Sequence, residues 1–269
     1  MRQQSSLARL LATAALTAIL AAGLGGCQTM SDITGSLSSK PEASSEANPH
    51  RAAEIYGERY RSDPKNAEAA LAYGQALRAS GQRSQAAAVL EQATIAHPGD
   101  KPLLAAYGRA LADNGNFQQA FDVLSRAHSP DNPDWRILSV QGAALDQLGR
   151  HEDARRYYAS ALKIVPDEPS VLSNLGLSYV LSKNLPKAEE VLRQAYATGR
   201  ADARVRQNLA LAIGLQGRFA EAEQIVRADL PADEAAANVA YLKQMLSRKD
   251  ETRTGAVAKM PVASLNRPE

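Results

Sequence analysis

The side chains that most often carry chemistry are few in this 269-residue sequence, and they are scattered. The four histidines stand at isolated positions, without the spacing at which side chains share a metal ion or form a catalytic pair. They are His50, His97, His128 and His151. Acidic pairs such as Glu189-Glu190 fall on predicted exposed helix faces, and no glycine-rich phosphate loop occurs. We therefore expect a protein that is not an enzyme and that uses no metal ion and no cofactor.

The only cysteine, Cys27, excludes an internal disulfide and a metal site built from several cysteines. The segment before it has a short basic start and then an apolar run, residues 10–22, which is typical of a secretory signal. The small residues of the stretch Leu24 to Cys27 resemble a bacterial lipobox. This resemblance implies a signal peptide of residues 1–26 and lipid attached to Cys27. An ordinary signal peptide and an uncleaved anchor are the alternatives.

The residues after Cys27 predict the membrane to which the protein is anchored. Gln28 occupies the place where an Asp is the familiar signal for inner-membrane retention in Gram-negative lipoproteins. Its presence implies an outer-membrane protein on the periplasmic side, held by acyl chains. Residues 27–50 are rich in Ser, Ala, Glu, Lys and Pro, so we expect a lipid-anchored flexible tether there.

The charge of the chain is balanced once the leader is removed. The formal net charge of +2 comes from Arg2 and Arg9, so 29 basic and 29 acidic side chains remain. Binding to nucleic acid is driven by neutralisation of phosphates, so a balanced chain argues against nucleic acid as the main partner.

The strongest pattern in the sequence is a period of 34 residues. Small residues recur in one series, Gly74, Gly108, Gly142, Gly176 and Ala210, and in a second, Ala86, Ala120, Ala154, Ala188 and Ala222. Large apolar residues keep the same period at Leu90, Leu124, Tyr158, Leu192 and Val226. Each period has the pattern of two amphipathic helices with a tight turn between them. This is typical of tetratricopeptide repeats and predicts an all-α solenoid, a right-handed superhelix of antiparallel helix pairs.

The repeats divide the chain into parts. The solenoid is predicted at residues 51–249, with full repeats at about 67–100, 101–134, 135–168, 169–202 and 203–236. Residues 51–62 are predicted to form an N-terminal half-repeat, and residues 235–248 a capping helix with Val239, Leu242 and Leu246 on one side. The polar residues 250–269 are predicted to be a disordered tail.

The turn inside each repeat calls for a left-handed residue. Gly81, Gly115, Gly149 and Gly217 supply it in four repeats, whereas the remaining repeat has Lys183-Asn184. Asparagine is the next best residue for this conformation, so we expect Asn184 to take it.

In a tetratricopeptide superhelix the first helices line a concave groove, at positions two, five, six, nine, twelve and thirteen of each repeat. These positions hold the predicted binding residues Arg109, Ser173, Asn174, Arg204, Gln207 and Asn208, and Asp146 occupies another of them. Asn174 and Asn208 are one period apart at position six, where asparagines of peptide-binding relatives often hold an extended backbone. An amide can both donate to and accept from a peptide unit. The alternative is that asparagine is simply common there. The lysines of the carboxylate clamp in chaperone-binding relatives are absent from these positions.

Two runs resemble a more specific family. They are ALKIVPDEPSVLSNLGLSYVLSKNLPKAEEVLRQA, residues 161–195, and RVRQNLALAIGLQGRFAEAEQIVRADLPADEAAANVAYLKQML, residues 204–246. Both are similar to the TadD lipoproteins of the Tad (Flp) pilus assembly system, and Cys27 fits this resemblance. It implies a pilotin-like adaptor that helps the pilus secretin to localise, assemble or remain stable. There are two alternatives. One is a pilotin of a type IV pilus, and the other is a regulator that presents a periplasmic protease or cell-wall hydrolase.

Overall fold

The computed structural model describes the backbone of residues 48–257 and the side chains of residues 48–248. The predicted signal peptide, Cys27 and most of the predicted tether lie outside these residues. The described part of the chain contains twelve α-helices and no β-strand, with one isolated bridge between Ser129 and Asn132. The predicted all-α fold of helix pairs is confirmed. No helix in this part of the chain is long and apolar enough to cross a membrane.

The helices alternate with short turns along the whole described chain. They are α1 (Pro49–Ser62), α2 (Ala67–Ala79), α3 (Arg83–Ala96), α4 (Lys101–Asp113), α5 (Phe117–Ala127), α6 (Trp135–Gln147), α7 (His151–Ile164), α8 (Pro169–Leu181), α9 (Leu185–Ala197), α10 (Ala203–Gly214), α11 (Phe219–Val226) and α12 (Ala232–Val257). The first helices of the repeats are α2, α4, α6, α8 and α10, and each begins at the first residue of a predicted repeat.

A capping side chain precedes each first helix, at the same 34-residue spacing. The five residues are Asn66, Asp100, Asp134, Glu168 and Asp202, and their side-chain oxygens accept hydrogen bonds from backbone N–H groups of the first turn at 2.7–3.4 Å. These oxygens satisfy donors that have no partner inside the helix. The caps therefore fix where each repeat starts.

The two helices of a repeat meet at a glycine and a large apolar side chain. A Cβ atom added to Gly74, Gly108, Gly142 or Gly176 would lie only 2.4–2.6 Å from a side-chain atom of the second helix. The facing residues are Leu90, Leu124, Tyr158 and Leu192, which are 0–1% exposed. The small and large residues that recur every 34 positions in the sequence are thus the two sides of this contact.

The turn of the fourth repeat differs from the prediction. Lys183, with φ of +61°, is the left-handed residue there, in the place of Gly81, Gly115 and Gly149 in the other repeats. Asn184 has φ of −89° and instead caps α9, accepting a hydrogen bond from the Lys187 backbone N–H at 3.3 Å. The prediction for Asn184 was wrong because the repeat places the left-handed residue one position before the N-cap of the second helix. The equivalent N-cap residues of the other repeats have φ between −82° and −91° and make no side-chain cap bond.

Replacement of Lys183 by glycine should therefore stabilise the protein. A side chain in the left-handed region costs about 1–2 kcal/mol, which Lys183→Gly removes, less some gain in backbone entropy of the unfolded chain. We expect the unfolding free energy to rise by about 0.5–1 kcal/mol in chemical denaturation of the full-length protein in detergent. Lys163→Gly, an exposed lysine within α7, should lower it by a similar amount. A loss of stability in Lys183→Gly would contradict the assigned turn.

The contact of Gly176 with Leu192 gives a second prediction. Gly176→Ala should lower the unfolding free energy by about 1–3 kcal/mol, although alanine is the better helix former, because its Cβ would overlap Leu192. In the background of Leu192→Ala the same change should cost nothing, since the overlap is gone. Equal costs in the two backgrounds of this double-mutant cycle would contradict the contact.

The contacts divide the described chain into two compact units, residues 48–208 and residues 209–257. Sequence analysis assigns both to one solenoid. In the second unit, α11 has only 8 residues and α12 begins at Ala232, before the predicted boundary at 236. On α12, Ala235 and Val239 are buried, whereas Leu242 and Leu246 are half-buried.

Helix α12 also continues beyond the predicted cap. It ends at Val257, within the stretch 250–269 that was predicted to be a disordered tail. No proline and no glycine interrupts the sequence between Ala232 and Thr254, and nothing in its composition ends the helix at Arg248. The remaining residues of the predicted tail lie outside the described chain.

Candidate partner-binding face

The first helices of neighbouring repeats are bridged by side-chain hydrogen bonds in the first unit. Three of these bridges join residues that are 35 apart, one period plus one residue. They run from Arg78 to Asp113, from Asn174 to Ser139, and from Asn208 to Ser173. We call this side of α2, α4, α6, α8 and α10, up to Asn208, the first-helix face.

The two predicted asparagines are part of these bridges. Asn174 is buried and donates from Nδ2 to the Ser139 hydroxyl at 3.1 Å, and Asn208 is half-buried and donates from Nδ2 to the Ser173 hydroxyl at 2.9 Å. Within residues 48–248 no hydrogen bond uses the Oδ1 atom of either amide. Each amide is therefore held in place by one N–H and keeps a second N–H and its carbonyl oxygen for a ligand.

The other predicted residues lie on the same face with different exposure. Ser173 is fully buried and acts as the acceptor for Asn208, so it orients the amide and is not itself free to bind. Both remaining residues of α10 are half-buried: Arg204 lies one helical turn before Asn208, and Gln207 directly precedes it. Arg109 lies two repeats before Asn174, on α4. The structure thus brings Ser173 and Asn208 into contact and leaves Arg109 apart from the asparagines.

Arg109 is buried without a partner. Its side chain belongs to a residue only 6% exposed, and its Nη2 atom finds no hydrogen-bond partner among the described residues. Burial, and then the neighbouring charge of Arg78, lower the pKa of Arg109 to about 10. The group still carries its charge at neutral pH.

Asp146, by contrast, is buried and fully engaged. It accepts hydrogen bonds from Ser178 at 2.8 Å and Tyr158 at 2.9 Å, and its Oδ1 lies 2.9 Å from His151 Nδ1. Burial raises the pKa of Asp146, and the bonds from these three partners oppose that shift. The repeat positions predict Asp146 on the groove side and assign no role to His151. The shared carboxylate joins α6, α7 and α8, so its role is structural.

Tyr158 gives this network a pH dependence. Burial, and then the charge of Asp146, raise the pKa of Tyr158 well above its usual value. Its contribution to stability is complete below the pKa of the unfolded chain, about 10, and is lost as the pH rises through the higher pKa of the folded protein. We therefore expect the melting temperature to fall steeply above about pH 10.

Tyr158→Phe should make that fall shallower. At neutral pH it should also lower the unfolding free energy by about 1–2 kcal/mol, because Asp146 Oδ2 loses its donor. Melting temperatures across the alkaline range would measure both effects. Tyr196→Phe, at a tyrosine that is 46% exposed, is the matched control and should behave as the wild type. An alkaline fall that is the same in Tyr158→Phe and wild type would contradict this role.

The comparisons with known proteins identify the repeat. Sequence profiles described as tetratricopeptide repeat match residues 109–169, 139–203 and 203–228. A profile of anaphase-promoting complex, cyclosome, subunit 3 matches residues 46–127. The solenoid is built of tetratricopeptide repeats. Families of this kind are typically scaffolds that bind proteins and lack catalytic activity. No curated protein matches the sequence closely enough to be compared.

Solved structures share the fold at low sequence identity. PilW, a widely conserved type IV pilus biogenesis factor, has a TM-score of 0.62 and 20% identity over 72% of this chain and 91% of its own. TTC0263, a thermophilic tetratricopeptide protein of Thermus thermophilus, has a TM-score of 0.58 and 23% identity over 66% of this chain and all of its own. The Cut9–Hcn1 structure has a TM-score of 0.59 and 18% identity over 74% of this chain, which spans only 41% of that chain.

Among the described residues, no group of three His, Cys, Asp or Glu side chains could hold a metal ion. The predicted lipid attachment at Cys27 falls outside those residues. The first-helix face therefore offers hydrogen bonds from the oriented amides of Asn174 and Asn208 and, at Arg109, a positive charge that makes no ion pair.

Proposed function

We propose that this chain is a lipid-anchored tetratricopeptide adaptor that binds an extended segment of a partner protein on its first-helix face. The partner is the secretin of a Tad (Flp) pilus, or another protein of that assembly system, and the role is pilotin-like. Lipid on Cys27 holds the adaptor at the outer membrane, on the periplasmic side, and residues 27–50 give it reach.

The observation that carries the binding role is the pair of oriented amides. Asn174 and Asn208 stand one repeat apart, and each is fixed by a serine of the preceding repeat. Each keeps an acceptor and a donor, which is what a peptide unit of an extended chain requires. Because the amides are held before the ligand arrives, little side-chain entropy is lost on binding.

The assignment to a pilus is supported by two further observations. Residues 161–195 and 204–246 resemble the TadD lipoproteins, and the stretch before Cys27 resembles a lipobox. The structural similarity to PilW is a likeness of fold only, at 20% identity. It supports the pilus role because one pilus biogenesis factor has this architecture.

The test is recovery of partners from detergent-solubilised membranes with tagged full-length protein. We expect a secretin with the wild type, and about thirtyfold weaker binding with Asn174→Ala/Asn208→Ala, because two amide contacts of about 1 kcal/mol each are lost. Gln244→Ala removes an exposed side-chain amide of α12 and should recover the wild-type amount. Ser139→Ala keeps both asparagines and removes only the bridge that orients Asn174, so it should reduce recovery by less than the double variant does.

Other outcomes would change the proposal in different ways. Secretin recovered equally with the wild type and the double asparagine variant would keep the pilus role and reject the face. A type IV pilus secretin would move the adaptor to that system. A protease or a cell-wall hydrolase, without any secretin, would reject the pilus assignment.

A further inference from the structure

Arg109 is an unusual side chain to find inside a repeat protein. Within the described residues it makes no hydrogen bond and no ion pair, and its Nη2 atom is sealed from solvent. A buried charge without a partner costs several kcal/mol, so such groups are normally paired. The carboxylates of Asp113 and Asp134 offset part of this cost, but neither forms a hydrogen bond or an ion pair with Arg109, which makes Arg109 a candidate for binding a ligand.

The charged groups around Arg109 leave one positive charge without a matching negative charge. Four charged residues lie close enough to shift its pKa, namely Arg78, Asp113, Asp134 and Arg136. Asp113 is committed to Arg78, whose Nε lies 2.6 Å from the Asp113 Oδ2 atom. Asp134 accepts from the Arg136 backbone N–H at 2.7 Å and caps α6. Three guanidinium groups thus face two carboxylates, and both carboxylates are already engaged.

Arg136 repeats the pattern of Arg109 on the next first helix. Its Nε atom is buried and has no hydrogen-bond partner in the described chain. Its guanidinium carbon lies 4.5 Å from the centroid of the Trp135 ring, which holds the planar group by a cation–π contact. Two arginines that are close enough to affect each other's charge therefore each have an unused buried donor, and an anion with two oxygens has an acceptor for each.

We propose that Arg109 and Arg136, beside the Arg78–Asp113 pair, bind the carboxylate of an acidic side chain in the partner segment. This inference rests on the proposed function, since it places the ligand on the first-helix face. A carboxylate would supply one negative charge and two acceptors, which match the single excess charge. The anion would need to displace the packing over Nη2, so binding and a local side-chain movement go together.

The position of the cluster also sets a spacing in the ligand. Arg109 is on α4 and Asn174 is on α8, two first helices further along the chain. Packed helices lie about 8–10 Å apart, so two steps cover roughly 20 Å. An extended segment spans that distance with about six residues. We expect the acidic residue about six positions from the peptide unit held by Asn174.

The experiment measures binding of two labelled peptides to the full-length protein in detergent micelles. One peptide alternates Glu and Ala, and the other alternates Gln and Ala. Fluorescence anisotropy should show about tenfold tighter binding of the Glu peptide at low salt, as one charge-assisted pair would give. Arg109→Met should remove that preference and leave binding of the Gln peptide unchanged. Arg109→Lys should restore part of it.

Two controls separate binding from folding. Arg126→Met removes an exposed arginine of α5, in the same repeat, and should keep the preference for Glu. Arg109→Met should melt at the wild-type temperature or above, because it removes an unpaired buried charge and keeps its volume. A preference lost together with a lower melting temperature would assign Arg109 to structure and overturn the inference.

Further outcomes would also overturn it. Equal binding of both peptides, weakened in Asn174→Ala/Asn208→Ala, would reject the acidic site and keep the proposed face. Binding of neither peptide would reject the site and count against the face as well. Stabilisation by inorganic phosphate that depends on Arg109, without any preference for the Glu peptide, would assign the cluster to a free anion.

Discussion

The contact on which the repeats depend is the close approach of two helices at a glycine. A single added carbon at Gly74, Gly108, Gly142 or Gly176 would lie within 2.4–2.6 Å of the facing side chain. That distance leaves no freedom in how the second helix packs, because interiors are close-packed and resist added volume. The helix pairs of these four repeats are therefore closely packed, and side chains of their neighbouring first helices lie at bonding distance.

The period in the sequence made the helices and their order predictable, since it states which residues must be small and which large. Intrinsic residue preference was misleading where two neighbouring residues could take the left-handed conformation of a turn. Lys183 and Asn184 are neighbours, and asparagine has the better intrinsic preference for the left-handed conformation. The structure places Asn184 at the helix cap, where its side chain accepts a hydrogen bond, and the strain falls on Lys183. The left-handed residue keeps the 34-residue spacing from Gly149, so the geometry of the repeat outweighs the intrinsic preference of asparagine.

The candidate face shows a similar limit. Repeat positions were sufficient to select Ser173, Asn174 and Asn208, because positions five and six lie on the first helix in every repeat. They could not show that the serine at position five of one repeat supports the asparagine at position six of the next. That offset of 35 residues depends on how successive first helices pack, which a linear period of 34 does not contain. The burial of Arg109 likewise could not be predicted from its repeat position, because it depends on the side chains packed around it.

Two buried charges of the first-helix face, Asp146 and Arg109, differ in whether the fold supplies their hydrogen-bond partners. Asp146 has Ser178, Tyr158 and His151 around it, drawn from two other helices, so its desolvation is offset within the fold. Arg109 has the same degree of burial, yet the carboxylates near it are engaged elsewhere. Asp146 thus has three hydrogen-bond partners within the fold, whereas Arg109 has none among the described residues. We therefore infer that the counter-charge of Arg109 is supplied by the partner.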